Sequence, residues 1–127
     1  MAASDLRNLE GYLVKLTNNS GVPELARPAG LEDRVDYILE EGVNIGLQAV
    51  ARPIESGQNV RIKALGTGVA GDLLTAADPS VAADAGKVIT LPAAAATYRV
   101  VGVAEESFVA GQLVLMRPIA SELVVVS

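Results

Sequence analysis

Three groups of residues in this sequence have the types and spacing that chemistry requires. Gly66-Thr67-Gly68-Val69-Ala70-Gly71 fits the G-x-G-x-x-G spacing by which a dinucleotide-binding loop brings backbone amides up to a pyrophosphate. Glu40-Glu41 and Glu105-Glu106 are adjacent carboxylates of the kind used in general acid–base or metal chemistry. Lys15, Lys63 and Lys87 are amines that could activate a serine nucleophile.

Each group lacks the context its chemistry needs. A dinucleotide fingerprint requires a helix that starts within the glycines and an acidic residue roughly 20 positions further on for the ribose. Here Gly71 leads into Asp72-Leu73-Leu74-Thr75 and then Ala76-Ala77-Asp78-Pro79, a short strand running into a turn, and position 91 is Leu. The same turn recurs without the upstream glycines: Val69-Ala70-Gly71-Asp72-Leu73-Leu74 returns as Val109-Ala110-Gly111-Gln112-Leu113-Val114, and a looser copy begins at Ser56-Gly57-Gln58. What repeats is a turn that launches a strand, with Gly supplying the positive φ. Neighbouring residues of a strand point to opposite faces, so neither acidic pair converges on one atom, and both follow an apolar run where solvated loop tips are expected. No serine stands in a G-x-S-x-G or S-x-x-K setting. Asn18-Asn19-Ser20, followed by Gly21 and Pro23, reads as a hairpin loop and not as a glycosylation acceptor.

Composition narrows the field further. The chain has no cysteine and no histidine, which removes thiolates, imidazole bases, zinc clusters and disulfides together. No enzyme activity, cofactor or metal is expected. The net charge is −5 and the ten Lys and Arg are scattered singly, so there is no basic patch for phosphates, and nucleic acid is not an expected partner. No apolar run approaches the roughly 18 residues that span a bilayer, and the first residues, MAASDLRNLEG, carry no apolar signal core. A soluble chain with no membrane partner, made in the cytoplasm, is the expectation.

The elements that would position any site are strands. Half of the residues are hydrophobic but only 3% are aromatic, so the apolar mass is aliphatic and falls into short runs bounded by Gly, Pro, Asn or Asp. Residues 12–17, 47–51, 59–65, 71–75, 87–91, 98–104, 112–116 and 123–126 read as strands. Their spacing predicts one all-β domain, a small antiparallel β-barrel or β-sandwich with little or no helix and extended termini. Residues 31–42 fit two periods: Leu31, Val35, Ile38 and Leu39 would line a helix, while Val35, Tyr37 and Leu39 alternate as in a strand. The chain divides into an N-terminal arm at residues 1–10, polar and without strand pattern, a β-domain at 11–118 and a C-terminal strand or tail at 119–127. Leu123, Val124, Val125 and Val126 would be an aggregation hazard on a free edge, so either this domain's own sheet or a neighbouring subunit should cover them. A small aliphatic core also favours completing its burial against another subunit.

Taken in order, Tyr37-Ile38-Leu39-Glu40-Glu41-Gly42, Gln58-Asn59-Val60-Arg61-Ile62-Lys63, Gly66-Thr67-Gly68-Val69-Ala70-Gly71-Asp72-Leu73-Leu74, Tyr98-Arg99-Val100-Val101-Gly102-Val103-Ala104-Glu105-Glu106, Val109-Ala110-Gly111-Gln112-Leu113-Val114 and Arg117-Pro118 resemble the small capsid decoration, or cement, proteins of tailed bacteriophages. The resemblance spans residues 11–118. It implies a compact β-barrel or sandwich without cofactor, with the Tyr37 segment as a strand, assembled as a homotrimer on the outside of the expanded capsid and clamping the major capsid protein. The candidate interface residues are then at the two ends: Asp5, Leu6, Arg7 and Leu9 in the arm, and Leu123, Val124, Val125 and Val126 in the tail. A tail, baseplate or fibre-attachment module of a phage is the alternative. A carbohydrate-binding module is a weaker one, because one Phe, three Tyr and no Trp leave little to stack on sugar rings.

Overall fold

The computed structural model describes residues 1–55 and 57–127, with the backbone alone at 120 and 121. Among these residues there is no helix, and the Tyr37 segment is a strand. Nine strands follow in order: β1 (Leu13–Asn19), β2 (Val22–Ala26), β3 (Tyr37–Glu41), β4 (Val50–Pro53), β5 (Val60–Lys63), β6 (Leu73–Ala76), β7 (Val88–Thr90), β8 (Ala96–Ala104) and β9 (Leu113–Val126). They form two antiparallel sheets, one ordered β2-β1-β3-β4 and the other β5-β9-β8-β6-β7. The fold is the all-β sandwich that the spacing of aliphatic runs and turns predicts.

The first sheet is apolar on both faces at its centre. Leu13 and Val14 are neighbours on β1 and both fully buried, as are Ile38 and Leu39 on β3, and consecutive strand residues must point to opposite sides. Leu13 and Ile38 face the second sheet, joining Val60, Ile62, Leu74, Val88, Val101, Val114 and Met116 in the core between the layers. Val14 and Leu39 face away from it, into a second cluster with Leu25, Ala49 and two residues of the N-terminal segment, Ala2 and Leu6.

Residues 1–10 are therefore the third layer of the fold and do not stand off as an arm. Ala2 forms a parallel bridge to Leu25. The amide of Leu25 donates to Met1 O at 2.7 Å, and that of Leu6 donates to Val43 O at 2.8 Å. Gly42 explains how the segment lies so close: a Cβ built there would sit 2.0 Å from Leu6 O. The arm expected from the polar sequence is corrected by a physical demand that the sequence pattern hid. Val14 and Leu39 would otherwise meet water, and Ala2 and Leu6, with Leu9 at the margin, cap them.

The second sheet has an internal pseudo-twofold. Residues 60–76 and 100–116 correspond at a shift of 40 positions, so that Ala64 matches Ala104, Gly71 matches Gly111 and Leu73 matches Leu113. The hydrogen bonds cross between the halves: Gly71 N donates to Ala104 O at 2.8 Å, and Gly111 N donates to Ala64 O at 3.0 Å. Gly68 and Phe108, themselves 40 positions apart, exchange both of their backbone hydrogen bonds, at 3.1 and 3.0 Å, and so mark the axis. β5 pairs with β9 and β6 with β8, which joins the halves, while β8 and β9 also pair with each other. The third copy of the turn pattern begins at Ser56, which lies outside the described residues.

The C-terminal residues are the continuation of β9. Two strands were expected, at 112–116 and 123–126, but Leu113 to Val126 is one strand of 14 residues, about 45 Å of extended chain. It pairs with β8 from Ala104↔Met116 to Ala96↔Val126, so no boundary falls between 118 and 119.

If the N-terminal layer contributes to folding, Leu6→Ala should lower stability by about 3 kcal/mol, the range for a fully buried leucine. Gly42→Ala should displace the segment and raise the hydrogen-exchange rate of the Leu6 amide. Urea unfolding and amide exchange measure both. A Leu6→Ala variant as stable as the parent would mean that the segment is not packed.

Candidate interaction surface

The loop with the dinucleotide spacing commits three of its amides inside the protein. Gly68 N and Gly71 N are used across the pseudo-twofold, Val69 N donates to Asp72 Oδ2 at 3.0 Å, and the chain continues into β6. The glycines have other tasks. Gly71, at φ +94°, makes the turn, and Gly68 accommodates the ring of Phe108, whose Cζ would be 2.4 Å from a Cβ at that position.

Three of the four carboxylates in the acidic pairs, Glu40, Glu105 and Glu106, are held in ion pairs at the surface. Glu105 accepts from Arg117 Nε at 2.7 Å, and Glu106 accepts from Leu115 N at 3.1 Å and Arg61 at 3.0 Å. The Leu115 amide, with Arg61 behind it, holds the Glu106 carboxyl below its ordinary value. Glu40 faces Arg52 at 3.4 Å. These pairs brace strand ends. Among the described residues no group of three or more acidic side chains converges as a metal site would require, and no helix is long and apolar enough to cross a membrane.

The expected interface residues fall in different layers, the N-terminal four in the segment packed on the first sheet and the C-terminal four on β9 of the second. Asp5 and Arg7 form an exposed ion pair at 2.8 Å, in which the Arg7 guanidinium lowers the Asp5 carboxyl to about 2. Between them Leu6 is completely buried, so it is a core residue and not a contact residue, and Leu9 is half-buried against the same cluster. Leu123 and Val125 are exposed at 47% and 72%, whereas Val124 and Val126 are half-buried.

The C-terminal four belong to a two-stranded ribbon. β6 pairs with β8 only as far as Thr75↔Val100, and β5 pairs with β9 only between Leu113 and Met116. Beyond those points residues 96–99 and 122–126 pair with each other alone. Tyr98 anchors the ribbon: it is 6% exposed and its hydroxyl donates to Ala94 O at 2.9 Å. Arg99 anchors the opposite face by donating to Glu32 O at 2.7 Å. Thr97, opposite Val125 in the register, lines an open depression of about 440 Å³ with residues 30–33.

The sequence reading passed over this depression and the β8 edge. Asp33, which shapes the depression, accepts from Lys15 Nζ at 2.7 Å and from the amides of Ala29 and Gly30 at 2.8 and 3.1 Å. The lysine first, and the Ala29 amide next, hold its carboxyl below the ordinary value. The signal was present in the Pro28-Ala29-Gly30 turn ahead of Asp33, although the partner, Lys15, lies 18 positions away.

No protein-family model matches the chain, and no curated protein matches it either. Among solved structures, the fold is similar to the crystal structure of the head fiber gp8.5 N base in bacteriophage phi29. The TM-score is 0.71 at 21% identity, over 97% of this chain and 92% of that one. At that identity the likeness is one of fold.

Because the folded-state pKa of Asp33 is depressed, the stability it contributes is present above its unfolded pKa, near 4, and is lost as pH falls through the folded value. Asp33→Asn should cost about 1 kcal/mol at pH 7, a figure reduced for partial exposure. The gap to the parent should close as the parent's own carboxyl is protonated below pH ~4. Urea unfolding at pH 7 and pH 3 checks this, and an unchanged gap would rule out the Lys15–Asp33 cluster as its source.

Proposed function

We propose that this chain is a structural protein of the virion of a tailed bacteriophage, attached to the outside of the head through the major capsid protein and acting as a homotrimer. The observation that carries the reading is the fold shared, over nearly the whole of both chains, with the N base of a phage head fiber. The order of Gly-anchored strands that resembles capsid decoration proteins supports it from the sequence side. The surface chemistry agrees with a mechanical role: loop carboxylates are neutralised by arginines, and the glycine-rich loop is closed by its own hydrogen bonds.

Attachment in this reading is multivalent. A trimer that touches several capsid subunits leaves only when all its contacts break together, so modest individual contacts give long residence. Preference for the expanded head follows if the contacted subunits come into register only after expansion, because a ligand that binds one state shifts the equilibrium towards it. Cementing is the finer form of the proposal. The fibre-attachment reading draws on the description of the phi29 protein as a fiber base. Both require binding to the head, and they differ in what binding does to the shell.

Purified protein should co-sediment saturably with expanded heads prepared without it, and not with proheads. Absence of binding to heads, with binding to tails, would overturn the head assignment. Heads saturated with the protein should release DNA at a higher temperature than bare heads if it cements. An unchanged release temperature would assign it to attachment alone.

A further inference from the structure

We infer that the ribbon formed by residues 96–100 and 122–126 is the trimerisation element, and that its partner is the same ribbon of a second copy. This rests on the homotrimer of the proposed function and names the surface that builds it.

The ribbon has an unpaired edge on each side. On β8, residues 96–99 lie beyond the last partner offered by β6, and on β9, residues 122–126 lie beyond the last partner offered by β5. Among the described residues, no backbone hydrogen bond reaches these stretches from any loop. Each edge therefore presents a row of amides and carbonyls that water alone satisfies, which is the template for strand addition.

Soluble proteins blunt such edges with lysine, proline, inward charges or bulges. Three of the four outer strands here follow that rule: β2 carries Pro23 and Glu24, β4 carries Arg52 and Pro53, and β5 carries Lys63, while β7 is only three residues long. On β9, Pro118 guards the part next to β5, but from Glu122 onward the sequence is Glu-Leu-Val-Val-Val, with one charge and no proline or lysine. Val125, at 72%, is the most exposed large hydrophobic residue described. Protection stops where the ribbon begins.

The two edges select a second copy as occupant. They face in opposite directions on one ribbon, so a single rotation that sets the β9 edge of one copy against the β8 edge of the next satisfies one edge of each. This is a heterologous contact, and it leaves no free edge only if the ring closes. Two ribbons give four strands, too few to curl around their own side chains. Three give six, within the range of small closed barrels. Closure also buries Leu123 and Val125, which share one face of the ribbon, against neighbouring copies.

The test is sedimentation velocity of the full chain across micromolar concentrations, with the double variant Leu123→Lys/Val125→Lys, the single variant Val125→Lys and a chain ending at Ser121. Circular dichroism confirms that each variant is folded. The parent should sediment as a trimer and all three variants as monomers, with amides of residues 97–99 and 123–126 exchanging at least tenfold more slowly in the parent than in the two lysine variants. A trimer that survives in both lysine variants and in the shortened chain would overturn the ribbon assignment while leaving the trimer standing. A parent that stays monomeric at every concentration would overturn the ribbon and the trimer together. Head binding is scored separately by co-sedimentation, so neither result is confused with failure of the virion assignment.

Discussion

The constraint on which the rest of this structure depends is that the first sheet is apolar on both faces. A sheet that buries Leu13 and Ile38 on one side and Val14 and Leu39 on the other needs two covers. The second sheet is one. The other can only come from chain outside the sandwich, and residues 1–10 supply it with Ala2 and Leu6. The backbone then fixes where this layer lies, because Leu6 N binds Val43 O and Gly42 has no side chain to hold it off. With 3% aromatic residues the chain has few large side chains to fill space, so it fills it by adding a layer.

The second sheet solves a different problem, that of joining two similar halves without leaving edges inside. The first half sets β5 and β6 on the two sides of the β8–β9 hairpin of the second half, and the turns at Gly71 and Gly111 lock onto Ala104 and Ala64 across the axis. The likeness extends to the surface: Val69 and Val109 are each 59% exposed, and Leu73 and Leu113 are exposed at 39% and 41%. The halves part company after Met116. The first stops with β6 at Ala76, while the second runs on to Val126. The ribbon is thus the feature that breaks the pseudo-symmetry, and an asymmetric extension on a symmetric scaffold is where a specific contact is expected.

β6, β7 and β9 were legible in the sequence because each starts just after a glycine turn, at Gly71, Gly86 and Gly111, and carries a short aliphatic run. What was not legible has physical causes. β2 contains Pro23 and Glu24, which speak against a strand, yet β2 lies at the edge of its sheet and the N-terminal segment joins its outer side only at Leu25, so proline is tolerated at position 23. The segment at 31–42 fits helix and strand equally until Leu13 and Val14 are known to pair with Ile38 and Tyr37, a contact more than twenty residues distant. The single β9 was read as two strands because Arg117 and Pro118 look like a break. On a strand whose other side is open at that point, they are none. Leu6 was assigned to a surface because its neighbours Asp5 and Arg7 are charged. They are on the surface, and the period that puts Leu6 inside belongs to a segment too short to show one.

The candidate site was legible as a segment and not as a geometry. Four aliphatic residues at 123–126 announced a strand that needs a partner, but sequence could not show that β8 covers one edge and leaves the other bare. That distinction decides what kind of contact the ribbon makes. Pairing through main-chain amides and carbonyls demands extended backbone and the absence of obstructing side chains, and it is tolerant of which aliphatic residue stands where. An interface of this kind leaves little trace as a motif.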